Sequence, residues 1–487
     1  MRKARFTPFA LVSAVSLLAG CSMIPVYERP AAPVAASYPA YPGMTAAAVD
    51  NAAAPLAADV AWQDFFADEK LKHLIELSLA NNRDLRVAVL NVEQVRTQYQ
   101  IRRADQFPTV NGVLSGSRTP TGSGSILSLY NVGLAVTAYE LDLFGRVSSL
   151  KEAALSQYLA TAEARKTAQI SLIAAVANTY LSILADEELL DITRQTLATR
   201  EDSLKLSKLR FDNGVTSELD YRQAESLTEA ARVAYDQQQR QRALDENSLT
   251  LLVGQPLPEL TGTRRQAMRL AQMRPMVEVP AGLPSDLLNH RPDIRQAEQL
   301  LLAANANIGA ARAAFFPRIS LTVGAGSASG SLSGLLKNGS WGWTLAPQLV
   351  LPIFDAGRNL AGLDSAKAGR DIAVAQYEKA IQTAFREVAD ALAIRATLDD
   401  QLRAQQAQAN AEAVRFKLSD LRYQNGISSS LDVLDAQRSL FSAQQAVVQT
   451  RLAQLQSQVT LYKTLGGGWK EPVQEAQGPR AESLPRP

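Results

Sequence analysis

The side chains best placed for chemistry in this sequence are carboxylates that follow serines. Asp220 and Asp432 each fall three residues after a serine, Ser217 and Ser429. At that spacing the serine hydroxyl caps a helix start and the acid reaches back to the cap backbone, near the positive end of the helix. Asp435 and Arg438 differ, because the stretch Leu421–Arg438 repeats Leu209–Ser226 at a displacement of 212, and there Asp435 stands against Gln223 and Arg438 against Ser226. Fold maintenance alone therefore does not demand these charges. Asp435 lies one turn beyond Asp432 on the same helix face, so the pair could handle ions without catalysing anything. His73 sits on an amphipathic helix and His290 precedes Pro292 at a helix start, neither with a nucleophile or metal partner in view. Met268, Met273 and Met276 read as flexible packing rather than a copper path. One cysteine and two histidines exclude a disulfide framework or a zinc site built from several Cys and His. No enzyme, metal site or cofactor is expected.

These groups must be positioned by a helical hairpin. Leu421–Arg438 reads as the end of one helix, a turn at Asn425-Gly426 where glycine can take positive φ, and a new helix capped by the serines that follow. The earlier copy, Leu209–Glu225, turns at Asn213-Gly214, and eight of its 17 positions are identical. Two tips of one design indicate an internal duplication. Its register extends to Asp84/Asp293, Arg86/Arg295 and Phe107-Pro108/Phe316-Pro317 at a displacement of 209, to Phe144/Phe354 at 210, and to Gly145-Arg146/Gly357-Arg358 at 212. Insertions thus fall only between the Phe-Pro and Gly-Arg marks.

The balance of 50 basic and 48 acidic residues gives no electrostatic case for nucleic acid. Arg2, Lys3 and Arg5, the apolar run Phe6–Leu18 and then Leu18-Ala19-Gly20-Cys21 have the shape of a secretory signal, too short to span a bilayer. LAGC resembles the bacterial lipobox. That implies a signal peptide at 1–20 and a covalent lipid on Cys21 at the head of an Ala- and Pro-rich tether over 21–60. Ser22 after the cysteine resembles the outer-membrane sorting pattern.

The first structural repeat is expected over 61–260 and the second over 284–469, joined by an equatorial linker at 261–283 and followed by a polar tail at 470–487. Trp62–Asn81 reads as one amphipathic helix, and Asp84–Ala104 as a second that ends before Phe107-Pro108. Alternation then predicts strands at 108–117, 129–140, 317–327 and 341–351, about the length and dyad period of tilted membrane strands. In the second strand Tyr130, Val132, Leu134, Val136 and Ala138 oppose Asn131, Gly133, Ala135 and Thr137. A small soluble β domain with one buried face would alternate in the same way. Tyr130, Trp341 and Trp343 fall at strand ends, where amphipathic rings favour the lipid–water interface, and this favours a membrane. Long helical hairpins follow at 146–252 and 357–465. Val176, Ile183, Leu190, Leu197, Leu204 and Phe211 recur every seven residues, the pattern of a left-handed supercoil, along an outgoing helix of roughly 100 Å.

At this point the chain resembles the TolC family of outer-membrane channels and, within it, the OprM-like lipoproteins of multidrug efflux pumps. The residues that carry the likeness are Leu18–Cys21, HRPDIRQAE at His290–Glu298, ANANIGAARAAFFPRISL at Ala304–Leu321, PIFDAGR at Pro352–Arg358, YQNGISSSLDVLDAQRSL at Tyr423–Leu440 and LYKTLGGGW at Leu461–Trp469. The resemblance implies a mainly α fold with a membrane β-barrel portion: a homotrimer whose chains give four strands each to a 12-stranded barrel, continued by a long coiled-coil periplasmic tunnel. It implies a periplasmic adaptor and an inner-membrane RND-type transporter as partners, and passive expulsion of drugs or other small toxic compounds. It also implies a periplasmic gate at Leu431, Asp432, Asp435 and Arg438, where three copies would assemble six carboxylates, and adaptor-docking tips at Asn213, Gly214, Asp220, Asn425 and Gly426. Two other uses of the architecture stay open, heavy-metal export and type I protein secretion, as does a lipid-anchored coiled-coil scaffold with no pore.

Overall fold

A computed structural model describes residues 22–41, 56–122, 124–257, 270–273, 276–280 and 284–469. Cys21, Met268, the tail from 470 and most of the 261–283 linker lie outside these residues. The elements are α1 (Trp62–Phe65), α2 (Glu69–Asn81), α3 (Arg83–Ala104), β1 (Val110–Pro120), β2 (Ile126–Leu141), α4 (Arg146–Asp212), α5 (Glu218–Val253), α6 (Pro284–His290), α7 (Pro292–Ala313), β3 (Arg318–Ser329), β4 (Trp341–Val350), α8 (Arg358–Gln424) and α9 (Ser430–Thr464). The outgoing helices α4 and α8 are both 67 residues long. The described residues fall into two compact units, one drawn from Met1–Ala32, Leu90–Glu163 and Arg295–Ala380, the other from Pro33–Val89, Ala164–Ile294 and Ile381–Pro487.

The first unit carries one antiparallel sheet of order β1-β2-β3-β4. Antiparallel partners point their side chains to the same face, so the register sorts the residues. Leu114 pairs with Val132, Val132 with Ser327, and Ser327 with Trp341. Val110, Leu114, Val132, Leu134, Val136, Val323, Leu321, Trp343, Leu345 and Leu349 therefore share one apolar face. Asn111, Ser115, Asn131, Thr322, Ser320, Thr344 and Gln348 lie on the other. The expected alternation through Ala138 is broken: the pairing slips between Val136 and Tyr139, and Ala138 has a φ of 50°. One inserted residue forms a bulge there, so Tyr139, not Ala138, returns to the apolar face. β1, β2 and β3 run longer than expected, 16 residues in β2, while β4 ends one residue early at Val350, and the first connection shrinks to Thr121–Ser125.

Residues 22–29, read from sequence as part of a plain tether, dock on α7. Tyr27 Oη and Arg29 donate to Glu298 at 3.0, 2.8 and 2.5 Å, and Asn305 Nδ2 donates to the Pro25 carbonyl at 2.8 Å. Gly309 makes room for this segment, since a Cβ there would lie 2.7 Å from Ile24 Cγ1.

In the second unit the helix expected at Trp62–Asn81 is two. Asp68 accepts from Leu71 N at 2.8 Å and starts α2 afresh, leaving Phe65 and Phe66 buried between the pieces. Phe65 stacks on Tyr462 with centroids 3.9 Å apart, and Tyr462 Oη donates to the Val60 carbonyl at 2.6 Å. The end of each returning helix is pinned to the helix that follows in space. The Leu252 carbonyl accepts from Ser78 Oγ and Asn82 Nδ2 at 2.8 and 2.9 Å, and the Thr464 carbonyl accepts from Arg291 at 3.0 Å. Arg291 also holds Asp293 at 2.5 Å and Glu387 at 2.8 Å, which explains the HRPD stretch as a buried ionic joint. Along α4 the residues buried beyond Ile183 are Leu184, Ala185, Asp186, Leu189, Thr193 and Arg200, while Leu190, Leu197 and Leu204 of the expected seven-residue repeat stay half-buried.

Candidate functional site at the hairpin tips

Both tips are built by one device. At the end of α4, Gly214 N donates to the Phe211 carbonyl at 2.9 Å and Val215 N to the Arg210 carbonyl at 2.8 Å. At the end of α8, Gly426 N donates to Tyr423 and Ile427 N to Arg422 at 3.0 and 2.8 Å. Gly214 and Gly426 sit at φ of 72° and 71°, the left-handed conformation that ends a helix in this way. Asn213 and Asn425 each turn their side-chain amide back onto a helix carbonyl, of Leu209 and Leu421, both at 2.7 Å. The next helices start in capping boxes, Ser217 with Asp220 and Ser429 with Asp432.

The two aspartates then diverge. Asp220 accepts from Ser217 Oγ at 2.7 Å, Thr216 Oγ1 at 2.9 Å and, from the other tip, Ser430 Oγ at 2.7 Å. These hydroxyls favour the ionised form and hold its pKa down to about 2. A second tie joins the tips: Arg210 Nη1 donates to Tyr423 Oη at 2.5 Å, with the guanidinium carbon 4.9 Å from the Tyr423 ring centre. Asp432 makes its own cap and stands exposed beside Leu431, which is 56% exposed.

Asp435 is gripped by two arginines of its own chain. Arg415 of α8 donates to one oxygen at 2.6 Å and Arg438 of α9 to the other at 2.5 Å. The hydrogen bond from Arg415 is the main cause that lowers the Asp435 pKa, with Arg438 adding to it. Sequence reasoning found Asp435 and Arg438 but missed Arg415. The same displacement of 212 would have found it, since position 203 is a serine. All three members of this cluster are neutral in the first repeat.

Of the other sites, Trp341 opens β4 and Trp343 lies two residues in, 69% and 67% exposed. Tyr130 is not at a strand end, because β2 begins at Ile126; its ring lies over Gly116 of β1. The register still puts it opposite Ser329, two residues along β3 from the Ser327 that pairs with Trp341. His73 stands 3.8 Å from Glu76 on an exposed face, and Met276 is buried. Among the described residues no group of three or more His, Cys, Asp or Glu is placed to hold a metal ion.

Comparison with known proteins agrees with this duplicated geometry. The family profile described as outer membrane efflux protein matches twice, over residues 74–255 and 283–467, once per repeat. The chain belongs to the outer membrane efflux protein family. Among relatives of this efflux family, the antibiotic efflux pump outer membrane protein ArpC and the toluene efflux pump outer membrane protein TtgC, both of Pseudomonas putida, are each 50% identical over 477 residues, covering 96% of this chain and 97% of theirs. The open-state crystal structure of the Neisseria gonorrhoeae MtrE outer membrane channel superposes with a TM-score of 0.84 at 42% identity, covering 92% of this chain and 99% of that one. The efflux family has the TolC-like channel fold and transports without catalysing a reaction. This chain is accordingly an outer-membrane efflux channel.

Proposed function

We propose that three copies of this chain form the exit duct of a tripartite pump that expels drugs and small toxic apolar compounds. The observation that carries the proposal is the sheet: an apolar face, and outer edges on β1 and β4 with no strand partner among the described residues. Unpaired strand edges are not tolerated in lipid, so copies must pool their strands. The helices support the same reading, since α3 buries only Leu85 while Val87, Leu90 and Ile101 are 55%, 57% and 63% exposed. The resemblance to TolC-type trimers selects three copies and twelve strands over two and eight.

In this reading the lipid on Cys21 fixes the chain to the outer membrane, and Tyr130, Trp341 and Trp343 mark the lipid–water level. The tips dock on a periplasmic adaptor, and an inner-membrane RND-type transporter supplies the energy. Asn213, Gly214, Asn425, Gly426 and Asp220 shape the docking surface, which presents Val215, Leu219 and Ile427 at 73%, 67% and 66% exposure. Leu431, Asp432, Asp435 and Arg438 narrow the periplasmic mouth, and the tips splay when the adaptor binds. The substrate class follows the antibiotic and toluene pumps among the relatives.

Deletion of the gene and complementation test the proposal. Loss of the chain should lower the tolerated antibiotic concentration and survival in toluene, with metal tolerance and protein secretion unchanged. A defect confined to metal tolerance or secretion would reassign the duct.

A further inference from the structure

The two repeats differ in what covers one equivalent place on their helices. On the second repeat a segment from outside the repeats lies there: Tyr27 and Arg29 donate to Glu298 of α7, and Arg29 lies beside Tyr377 of α8, which is fully buried. The duplication locates the same place on the first repeat. Arg295 and Glu298 match Arg86 and Val89 of α3 at the displacement of 209, and Tyr377 and Ile381 match Arg165 and Gln169 of α4 at 212.

Those four residues, with Trp62 and Gln63 among others, line a cavity of about 560 Å³. Its polar groups lack partners. Arg295 pairs with Glu163 at 3.0 Å, whereas Arg86 and Arg165 have no acidic partner among the described residues. Gln63 Oε1 is buried and accepts no hydrogen bond from any described residue. Two guanidiniums and a buried amide oxygen fit an occupant that brings carboxylates and a backbone N–H.

The tail of the chain starts at the edge of this cavity. Gln169 donates to the Gly468 carbonyl at 3.3 Å, and Lys166 Nζ lies 4.5 Å from the ring centre of Trp469, the last described residue. Lys470-Glu471-Pro472-Val473-Gln474-Glu475 follows in the sequence. Arg165 stands one turn before Gln169 on α4, about 6 Å along the helix. Extended chain spans that distance in roughly two residues, so Glu471 is the first tail carboxylate within reach.

We propose that the C-terminal tail of each chain turns back into this cavity, with Glu471 and Glu475 on Arg165 and Arg86 and a tail N–H on Gln63. It is the first-repeat counterpart of the N-terminal segment on Glu298, with the charges exchanged: that segment brings a cation to an acid, and the tail brings acids to cations.

Thiol labelling of the purified full-length oligomer tests this. With Cys21 replaced by serine, Val89→Cys should react with a charged maleimide at least about ten-fold more slowly in the full chain than in a chain ending at Trp469, as expected when charge-assisted contacts hold the tail in place. A synthetic peptide of residues 470–487 should restore the protection to the shortened chain. Arg86→Glu with Arg165→Glu should abolish it in the full chain, and adding Glu471→Lys with Glu475→Lys should bring it back. These charge variants keep the full length, so they decide the matter even where the shortened chain does not fold. Slow labelling that persists in the shortened chain or in the double glutamate variant would mean that a neighbouring copy covers the cavity, and fast labelling in every chain would mean that it stands open. Either result overturns the proposal.

Discussion

Ser430 Oγ donates to Asp220 Oδ1 at 2.7 Å, so the second hairpin is tied to the first by a residue that also caps its own helix. Asp220 thus serves two structures at once. Its counterpart Asp432 serves one, and that asymmetry between otherwise matched tips fixes where they can be separated without unfolding either.

Ser430→Ala removes this tie and spares both capping boxes. The resting current of the reconstituted protein should rise several-fold, as expected when a contact worth about 1 kcal/mol is lost from one of two states, and the amount in membranes should not change. Because the Asp220 pKa is depressed to about 2, its contribution is complete above the ordinary aspartate range and disappears as pH falls through about 2. The effect of Ser430→Ala should therefore be the same at pH 5 and pH 8. A current that changes with the variant only at acid pH would remove Asp220 from the tie.

Arg415→Ser and Arg438→Ser install the residues of the first repeat around Asp435. Its carboxylate then loses the hydrogen bonds that lower its pKa, and its charge is left uncompensated at the tip, the proposed mouth. Block of the current by a trivalent cation from the periplasmic side should strengthen in the double arginine variant and weaken in Asp432→Ala with Asp435→Ala. Equal block in wild type and both variants would put the constriction elsewhere.

Asp186 is buried in the first hairpin where the second has buried Leu398. Burial, and a hydrogen bond with Asp245, raise its pKa to about 7, although Gln238 donates to it at 2.8 Å and Arg242 lies near. A raised carboxyl favours the fold at low pH, and that stability is lost as pH climbs through about 7. Asp186→Leu should accordingly raise the melting temperature more at pH 8 than at pH 5.5, a differential on the order of 1 kcal/mol. An equal gain at both values would mean the acid is already charged in the fold.

Much of this architecture was legible in the sequence because it is written twice. The tips and the Gly-Arg helix starts sit at a fixed displacement, two strands recur in each copy between the Phe-Pro and Gly-Arg marks, and Asn-Gly followed by serine carries its own conformational reason. Arg415 was within reach of the same displacement; most of what else was missed has no periodic signature. The bulge at Ala138 inserts a residue into a run whose apolar pattern reads straight through it. Arg29 and Tyr27 meet Glu298 across some 270 positions of chain, which local reading cannot connect. The break before α2 was readable, since Asp68 stands three residues before Leu71 as a cap should.

Cys21→Ser should abolish incorporation of labelled palmitate, while residues 22–29 still dock on Glu298 and Asn305 and the strands still insert. Equal labelling of the variant would end the lipoprotein reading.

The central claim is that copies of this chain enclose a pore whose periplasmic mouth the tips control. Single-channel recording in a planar bilayer tests it most directly, with wild type beside Ser430→Ala and the Arg415→Ser, Arg438→Ser variant. The account predicts discrete unitary currents in all three, rare and brief in wild type, more frequent in the arginine variant, and several-fold more frequent in Ser430→Ala, as expected for a tie of about 1 kcal/mol. Protein that inserts and oligomerises yet passes no current above the bare bilayer, in the wild type and in every tip variant, would contradict it.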